Sequence, residues 1–523
     1  MSSDFPRPFD DLPGEPTSPW LATTGDAGFD PLEEHVHVDV AVVGGGIAGL
    51  HTALAIRDRG KSVVVLERGQ LAAGITGKTT AKLTSQHGLI YDHLREEFGP
   101  TATKRYAEVN QGAIEEVADR IEGWGLEREC GFERRSHYVY SDDRDQIERE
   151  VEAAQDAGLP ASFVTSVPPF DRAACAVRFD DQACFHPRKY LLRLAEDLAD
   201  RSGVEIYEHT RVMDLEPGSP CRLETVGTAG DGEAPEGRVQ ADTVVLATGF
   251  PILDRAGYFA RMHPKRSYVL GVEVEGEPPE GMYYRPGDPY RSVRTHRDED
   301  GTLVLVGGEN HKTGQGGEVT DRYRRLEEWV HERFAVRDIP YRWSTQDYVP
   351  ADKVPFVGHM GAGAENVSVA TGFRGWGMTT GVAAGSLLAD AITGEENPAL
   401  EVFDPLRFTP KATVPDALTE NLDAASQFST DWLRTLVTPD GDALERGEGR
   451  VIRRGTDPIA LSRDAEGDLH ATSAVCTHMY CLVEWNDAEY SWDCPCHGSR
   501  FSPDGEVLEG PATQDLPRRD SEE

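Results

Sequence analysis

Residues 36–67 read VHVDVAVVGGGIAGLHTALAIRDRGKSVVVLE, and this run decides the fold of the longer part of the chain. The β-branched stretch 36–43 predicts a strand that runs into Gly44, Gly46 and Gly49. A helix follows, with Ile47, Leu50, Leu54 and Ile56 among its apolar positions, then a second strand over 62–66 that ends in Glu67. In such a unit the first glycine allows a tight turn, the second lets the backbone approach a pyrophosphate, and the third lets helix pack on strand. Free N–H groups and the helix dipole favour an anion at the helix start. Glu67, eighteen residues after Gly49, is placed to accept hydrogen bonds from a ribose. The plainer alternative is a glycine-rich turn in an ordinary βαβ unit; strand, helix, second strand and acid together favour nucleotide binding.

The turn alone does not separate NAD from FAD. Two further stretches favour FAD. Residues 243–250, TVVLATGF, predict a buried strand ending in Thr248 and Gly249. Residues 367–392, VSVATGFRGWGMTTGVAAGSLLADAI, predict strand, glycine-rich loop and helix. That loop, with Gly372, Gly375 and Gly377 followed by Met378, can bring backbone N–H groups and a helix N-terminus against a flavin ring, where they stabilise negative charge. Another αβ turn with spare glycines is the alternative. A second glycine-rich fingerprint of the kind a nicotinamide site needs is missing from the sequence, so electrons are expected from an organic substrate.

The other informative run is CTHMYCLVEWNDAEYSWDCPCHGS, residues 476–499. Cys476 and His478 stand one residue apart, Cys494 and His497 two apart, with fifteen residues between the pairs. Two thiolates for one iron and two imidazoles for the other are what a Rieske-type 2Fe–2S cluster needs. A zinc site also takes two Cys and two His, but usually as a Cys pair followed by a His pair; here each loop supplies one of each. Cys130, Cys175, Cys184 and Cys221 are scattered and read as buried thiols.

Residues 36–405 resemble the FAD-dependent oxidoreductases of the D-amino-acid oxidase and glycine oxidase type, on GGGIAGL, LERG, GITGKTTAKLTSQHG (74–88), LATG, WSTQDYVPADKVPFVG (343–358) and TGFRGWGMTTG. With the C-terminal run, nearly the whole chain resembles members of that family fused to a Rieske domain. The resemblance implies a Rossmann-type α/β FAD-binding domain, an α+β substrate domain with an antiparallel sheet, and an all-β Rieske domain. It divides the chain into an N-terminal arm or loose lead-in (1–35), the oxidoreductase unit (36–404), a linker helix (405–439) and the Rieske unit (440–523). Within the second unit the FAD-binding part covers about 36–90, 185–250 and 345–404, and the substrate part about 91–184 and 251–344, beginning with a helical stretch near 90–165. Resemblance also implies that Thr79 and Thr80 lie beside the pyrophosphate and ribityl chain, and that Cys481 and Cys496 form the disulfide joining the cluster loops. Lys82 would stabilise the reduced flavin, or else be a solvated loop lysine. Arg285, Arg291 and Arg294 are candidate clamps for a substrate carboxylate. No catalytic residue is assigned.

Ser499 matches a position whose hydroxyl donates to a bridging sulfur in quinol-oxidising Rieske proteins. Where those carry a Tyr, this chain has Phe501, so a lower potential is expected. Where the usual loop reads HLGC, this one reads HMYC, with Tyr480 at the glycine position.

The chain has 523 residues, 91 acidic against 53 basic, and a net charge of −38. Of the basic residues 9 are Lys, leaving 53 − 9 = 44 Arg. Such an excess is screened in concentrated salt, so a halophilic source is expected, with an ordinary acidic cytosolic protein as the alternative. Nucleic acid is disfavoured as a partner. No apolar run of membrane-spanning length and no secretory signal are visible, which predicts a soluble cytoplasmic protein without an integral membrane segment. The expected activity is oxidation of a small organic substrate, an amino acid or amine favoured, with electrons passing through flavin and cluster to an external acceptor. The alternatives are the reverse flow, from an electron donor through the cluster to the flavin, and a non-catalytic redox sensor.

Overall fold

The computed structural model describes residues 12–170, 173–228, 236–254, 257–361, 363–409, 444–464 and 466–519. The eight-stranded sheet is built on the opening run. Its strand order is Phe356–Gly361, Ala364–Thr371, Glu236–Gly249, His35–Val43, Val63–Leu66, Val204–Tyr207. All neighbours are parallel except the first pair. Thr210–Glu216 and Cys221–Gly227 form a hairpin that adds to the early part of Glu236–Gly249. Val63–Leu66 is buried throughout, as an apolar strand covered on both faces must be. Helices Ile47–Asp58 and Gly377–Thr393 cross closely. A Cβ on Gly385 would stand 2.6 Å from the His51 carbonyl, so small residues set the approach.

The second sheet has nine strands, ordered Val336–Pro350, Met262–Val274, Gly301–Lys312, Arg291–Asp298, Met282–Arg285, Glu133–Ser141, Cys175–Cys184, Lys82–Leu83, with Ala161–Val164 also on Cys175–Cys184. Its pairs are antiparallel apart from Met282–Arg285 with Glu133–Ser141. The stretch near 90–165 is therefore not helical throughout. Helices Tyr91–Trp124 and Arg144–Asp156 enclose the strand Glu133–Ser141, and Ala161–Val164 follows. Tyr138, Val139 and Tyr140 favour extended backbone, and a packed sheet face was available to them.

Residues 12–34, ahead of the first strand, are also not loose. Trp20 is fully buried and its indole donates to Thr79 O at 2.7 Å. Leu12 and Leu32 are buried as well. An apolar ring of this size repays the ordering of a short segment.

Residues 444–519 hold two small antiparallel sheets: Gly449–Arg454, Asp457–Arg463 and Leu469–Ser473, then Glu484–Asn486, Ser491–Asp493, Arg500–Phe501 and Val507–Glu509. No helix occurs among these described residues. The linker helix expected over 405–439 lies, apart from 405–409, outside the described residues. Among the described residues no helix is long and apolar enough to cross a membrane.

Candidate active site and metal centre

The glycine turn closes on the sheet as its sequence requires. Gly44 has φ +110°. Gly49 lies so near Gly44 that an added Cβ would stand 1.8 Å from its carbonyl oxygen, a contact only glycine permits. The helix then begins at Gly46, whose side is open except for Thr76 Oγ1. Thr76 also accepts from Ile47 N–H at 3.2 Å. No sequence signal singled out Thr76. Glu67 accepts from Gly45 N–H at 2.8 Å and from Gly69 N–H at 2.9 Å. A carboxylate has about four acceptor positions, so capacity remains for ribose hydroxyls.

Thr79 and Thr80 are held by their carbonyls, Thr79 O by Trp20 and Thr80 O by Arg294 Nε. Thr248 Oγ1 donates to Phe250 O at 2.6 Å, and Gly249 O accepts from Thr371 Oγ1. That bond ties the end of one parallel strand to the start of the Gly372–Gly377 loop. Gly375 faces open space, and Met378 is buried in the helix that starts at Gly377. That helix has no side-chain cap, so its first-turn N–H groups are available to an anion. The uncapped start of the helix at Gly377, the open side of Gly46 and the placed Glu67 fit a bound dinucleotide.

Lys82 is not a solvated loop lysine. It is 6% exposed, and its Nζ donates to Tyr283 O at 2.5 Å and Ser292 Oγ at 2.7 Å. Burial, then Arg294, pushes its pKa well below the ordinary value, which disfavours the cation. The three candidate carboxylate clamps are all engaged: Arg285 on Asp142 at the surface, Arg291 on Glu309 at 2.5 Å, and buried Arg294 on backbone carbonyls, its guanidinium over the Trp20 ring. Arg294 thus positions the Thr80 backbone.

The sequence did not point to the group around Trp376. His87 stacks on Trp376 with ring centres 5.4 Å apart, and Tyr284 meets its edge at 5.2 Å. His87 contacts Tyr106 Oη at 2.6 Å and Thr379 Oγ1 at 2.8 Å, and burial pushes its pKa down to about 3. His137 contacts Thr84 Oγ1 at 3.2 Å, and its Nε2 is buried with no hydrogen-bond partner among the described residues. Burial first, then Lys82, pushes its pKa well below the usual value. Both imidazoles are neutral at physiological pH. Asp347 accepts from Gly375 N–H and holds the loop, its carboxyl raised to about 6 by burial.

In the C-terminal half the two loops converge. Cys476 and Cys494 are buried free thiols, and Cys481–Cys496 is a disulfide. The Sγ atoms of Cys481, Cys494 and Cys496 lie within 4.8 Å of one another, but two of the three are joined to each other, so they make no separate metal site. The rings of His478 and His497 lie 5.1 Å apart, and Nδ1 of each is buried without a partner among the described residues. Burial lowers the pKa of both, His497 to about 4. Neutral imidazoles with orphaned Nδ1 atoms beside two thiols fit a 2Fe–2S cluster. Ser499 is in hydrogen-bond contact with Cys476, and Phe501 is fully buried. Tyr480 sits at φ +60°, 70% exposed, so this loop bears the left-handed turn without a glycine.

The histidine edge faces the other half of the molecule. Phe250 lies 6.3 Å from His478 and Phe259 5.9 Å from His497, ring centre to ring centre.

Both halves thus handle electrons, and the class they define is a flavin oxidoreductase joined to an iron–sulfur domain. Residues 39–391 match the family described as FAD dependent oxidoreductase and residues 435–519 match the Rieske [2Fe-2S] domain. The chain belongs to the FAD-dependent oxidoreductase family and carries a C-terminal Rieske domain. It is 35% identical over 509 residues to the Rieske 2Fe-2S iron-sulfur protein YhfW of Bacillus subtilis, covering 97% of this chain and 98% of that one. It is 24% identical to gamma-glutamylputrescine oxidoreductase of Escherichia coli, over 73% of this chain and 90% of that one. Among solved structures, glycine oxidase from Geobacillus kaustophilus shares the fold, with a TM-score of 0.54, 18% identity, and 72% and 99% of the two chains covered.

Proposed function

We propose that this oxidoreductase takes two electrons from a small organic substrate with a CH–N or CH–OH bond, an amine or amino acid favoured, and passes them through the Rieske centre to an external acceptor. The packing of Phe250 and Phe259 against the cluster histidines carries this reading. These contacts set the cluster against the flavin half, with His497 buried and His478 half-buried, so an external acceptor can still be reached from the His478 side. The relatives' names, gamma-glutamylputrescine oxidoreductase and glycine oxidase, support the substrate class.

FAD supplies two-electron chemistry and the cluster one-electron chemistry. The chain's own residues bind and orient. Gly44, Gly46, Gly49 and Glu67 would hold the nucleotide end of FAD, with Thr79, Thr80, Thr248, Gly249 and the loop from Gly372 to Met378 holding the rest. Cys476, His478, Cys494 and His497 would hold the irons. Trp376, Tyr284, His87 and His137 would wall the space beside the loop, and the neutral histidines would place no positive charge against a substrate amine. An imine product is hydrolysed by water. We infer a salt-rich cytosol as the working environment, supported by the net charge of −38.

Anaerobic addition of a panel of amines, amino acids and hydroxy acids to the loaded protein tests the activity. A member of the panel bleaches the flavin absorbance; no bleaching by any of them sinks the proposal.

A further inference from the structure

One strand forms the wall between the two halves. Along Val336–Pro350 successive side chains point to opposite faces. Gln346 and Tyr348, 2% and 3% exposed, face the Rieske loops. Gln346 Nε2 donates to Gly498 O at 2.8 Å, and Tyr348 Oη donates to Gly510 O at 2.8 Å. Asp347, between them, faces the flavin side and accepts from Gly375 N–H. The Tyr348 carbonyl accepts from Arg374 N–H at 3.2 Å. The loop expected against the flavin and the loop carrying His497 are therefore bonded to adjacent residues of one strand.

The close approach is built in. Gly498 directly follows His497 and has φ +79°. A Cβ there would stand 2.5 Å from Pro264 Cβ and 2.9 Å from Gln346 Nε2, so a larger residue would push the loop away. Thr313 Oγ1 donates to Gln346 Oε1 at 2.6 Å, which fixes the amide with its NH2 toward Gly498. The ring contacts between the halves at the cluster, Phe250 to His478 and Phe259 to His497, are through-space gaps, and the hydrogen bond from Gln315 Nε2 to Pro495 O is longer, at 3.3 Å. Electronic coupling falls faster across such a gap than along covalent and hydrogen bonds.

We propose that Gln346 is a positioning residue for electron transfer, its hydrogen bond to the Gly498 carbonyl linking the flavin-side loop to the His497 loop. The inference rests on the function proposed above. Two electrons leave the substrate together and cross this link one at a time. Each reduces one ferric iron of the cluster to ferrous and leaves to an external one-electron acceptor before the next arrives; the protons go to water. Gln346 keeps its bonds and its charge throughout.

The test uses the full-length loaded protein, with the flavin reduced by light and EDTA so that no substrate need be known. Freeze-quench EPR follows the cluster. In Gln346→Leu and in the similarly long, uncharged Gln346→Met, cluster reduction slows at least tenfold while the cluster's g-values and midpoint potential stay at wild type. Asp487→Ala serves as control. It removes two other bonds between the halves, from Val319 N–H at 2.7 Å and Thr320 N–H at 3.2 Å, and keeps the wild-type rate. Wild-type rates in both Gln346 variants overturn the proposal, as does equal slowing in the Asp487 variant, which would make docking alone the cause. Failure of every substrate to bleach the flavin would refute the proposed activity and leave this result standing.

Discussion

Phe501 is fully buried in a short strand that follows the second cluster loop. A hydroxyl added there has a sulfur-rich neighbourhood to donate to, and a hydrogen bond to sulfur favours the reduced, more negative cluster. One bond of about 1 kcal/mol corresponds to roughly 40 mV in a one-electron couple. Phe501→Tyr is therefore expected to raise the midpoint potential by about that amount in an EPR-monitored redox titration. No rise, with the cluster intact, would separate this position from potential control. The cluster residues were legible because both pairs are local in sequence, and each loop carries its own Cys and His. The engagement of Arg285, Arg291 and Arg294 was not legible. An arginine's type shows what it can bind, but its partners, such as Glu309 for Arg291 and Thr80 O for Arg294, are set by sheet pairing far along the chain. Gln346 was invisible for the same reason, its partner Gly498 being 152 residues away.

At the scale of the element, the glycine turn and its helix act as one part. Gly49→Ala would drive a Cβ into the Gly44 carbonyl. Because the obstacle is backbone, the helix must move off the sheet. Overpacking of this kind costs about 1–3 kcal/mol or more, and the displaced helix start no longer meets the pyrophosphate. Purified Gly49→Ala protein is expected to carry little FAD, read from the ratio of flavin to protein absorbance. Full occupancy would contradict the assignment of this turn. The parallel nucleotide sheet could be read from the sequence because each of its main strands carries a short apolar run, at 40–43, 63–66 and 244–247. The antiparallel substrate sheet was expected too, but its strand order could not be read, because it depends on pairings such as Glu133–Ser141 with Cys175–Cys184, which no local pattern encodes. Trp20 belongs to the same lesson: a proline-rich, acidic context hid an anchor for the Thr79 backbone.

At the scale of the molecule, the two halves are clamped by buried charge. Arg266 of the substrate sheet, 1% exposed, meets Glu489 and, at 3.5 Å, Glu509 of the Rieske half. Arg500 joins them, at 2.7 Å from Glu489 and 2.8 Å from Asp493. Removing Arg266 leaves Glu489 and Glu509 to share Arg500 alone, so Arg266→Met is expected to cost up to about 3 kcal/mol and to loosen the halves, seen as faster proteolysis between them. Burial would raise the Glu509 carboxyl, but Arg500 and Arg266 outweigh it and hold its pKa down to about 2, against 4.5 for the free group. A depressed pKa contributes stability that is full above the unfolded value and is lost on acidification. Docking should therefore hold at pH 5 and above and fail as the pH falls from about 4.5 toward 2; proteolysis at a series of pH values checks this. The surface follows a different rule. Repulsion within a net charge of −38 is relieved by salt, so the melting temperature should rise from dilute buffer to molar KCl; greater stability without salt would exclude a halophilic protein. The most direct measurement follows both centres at once: anaerobic mixing with a substrate that bleaches the flavin, with absorbance and freeze-quench EPR on the same time axis. The expected order is flavin bleaching first and the reduced-cluster signal after it; a cluster that reduces without prior bleaching would reverse the direction of flow and contradict the proposed function.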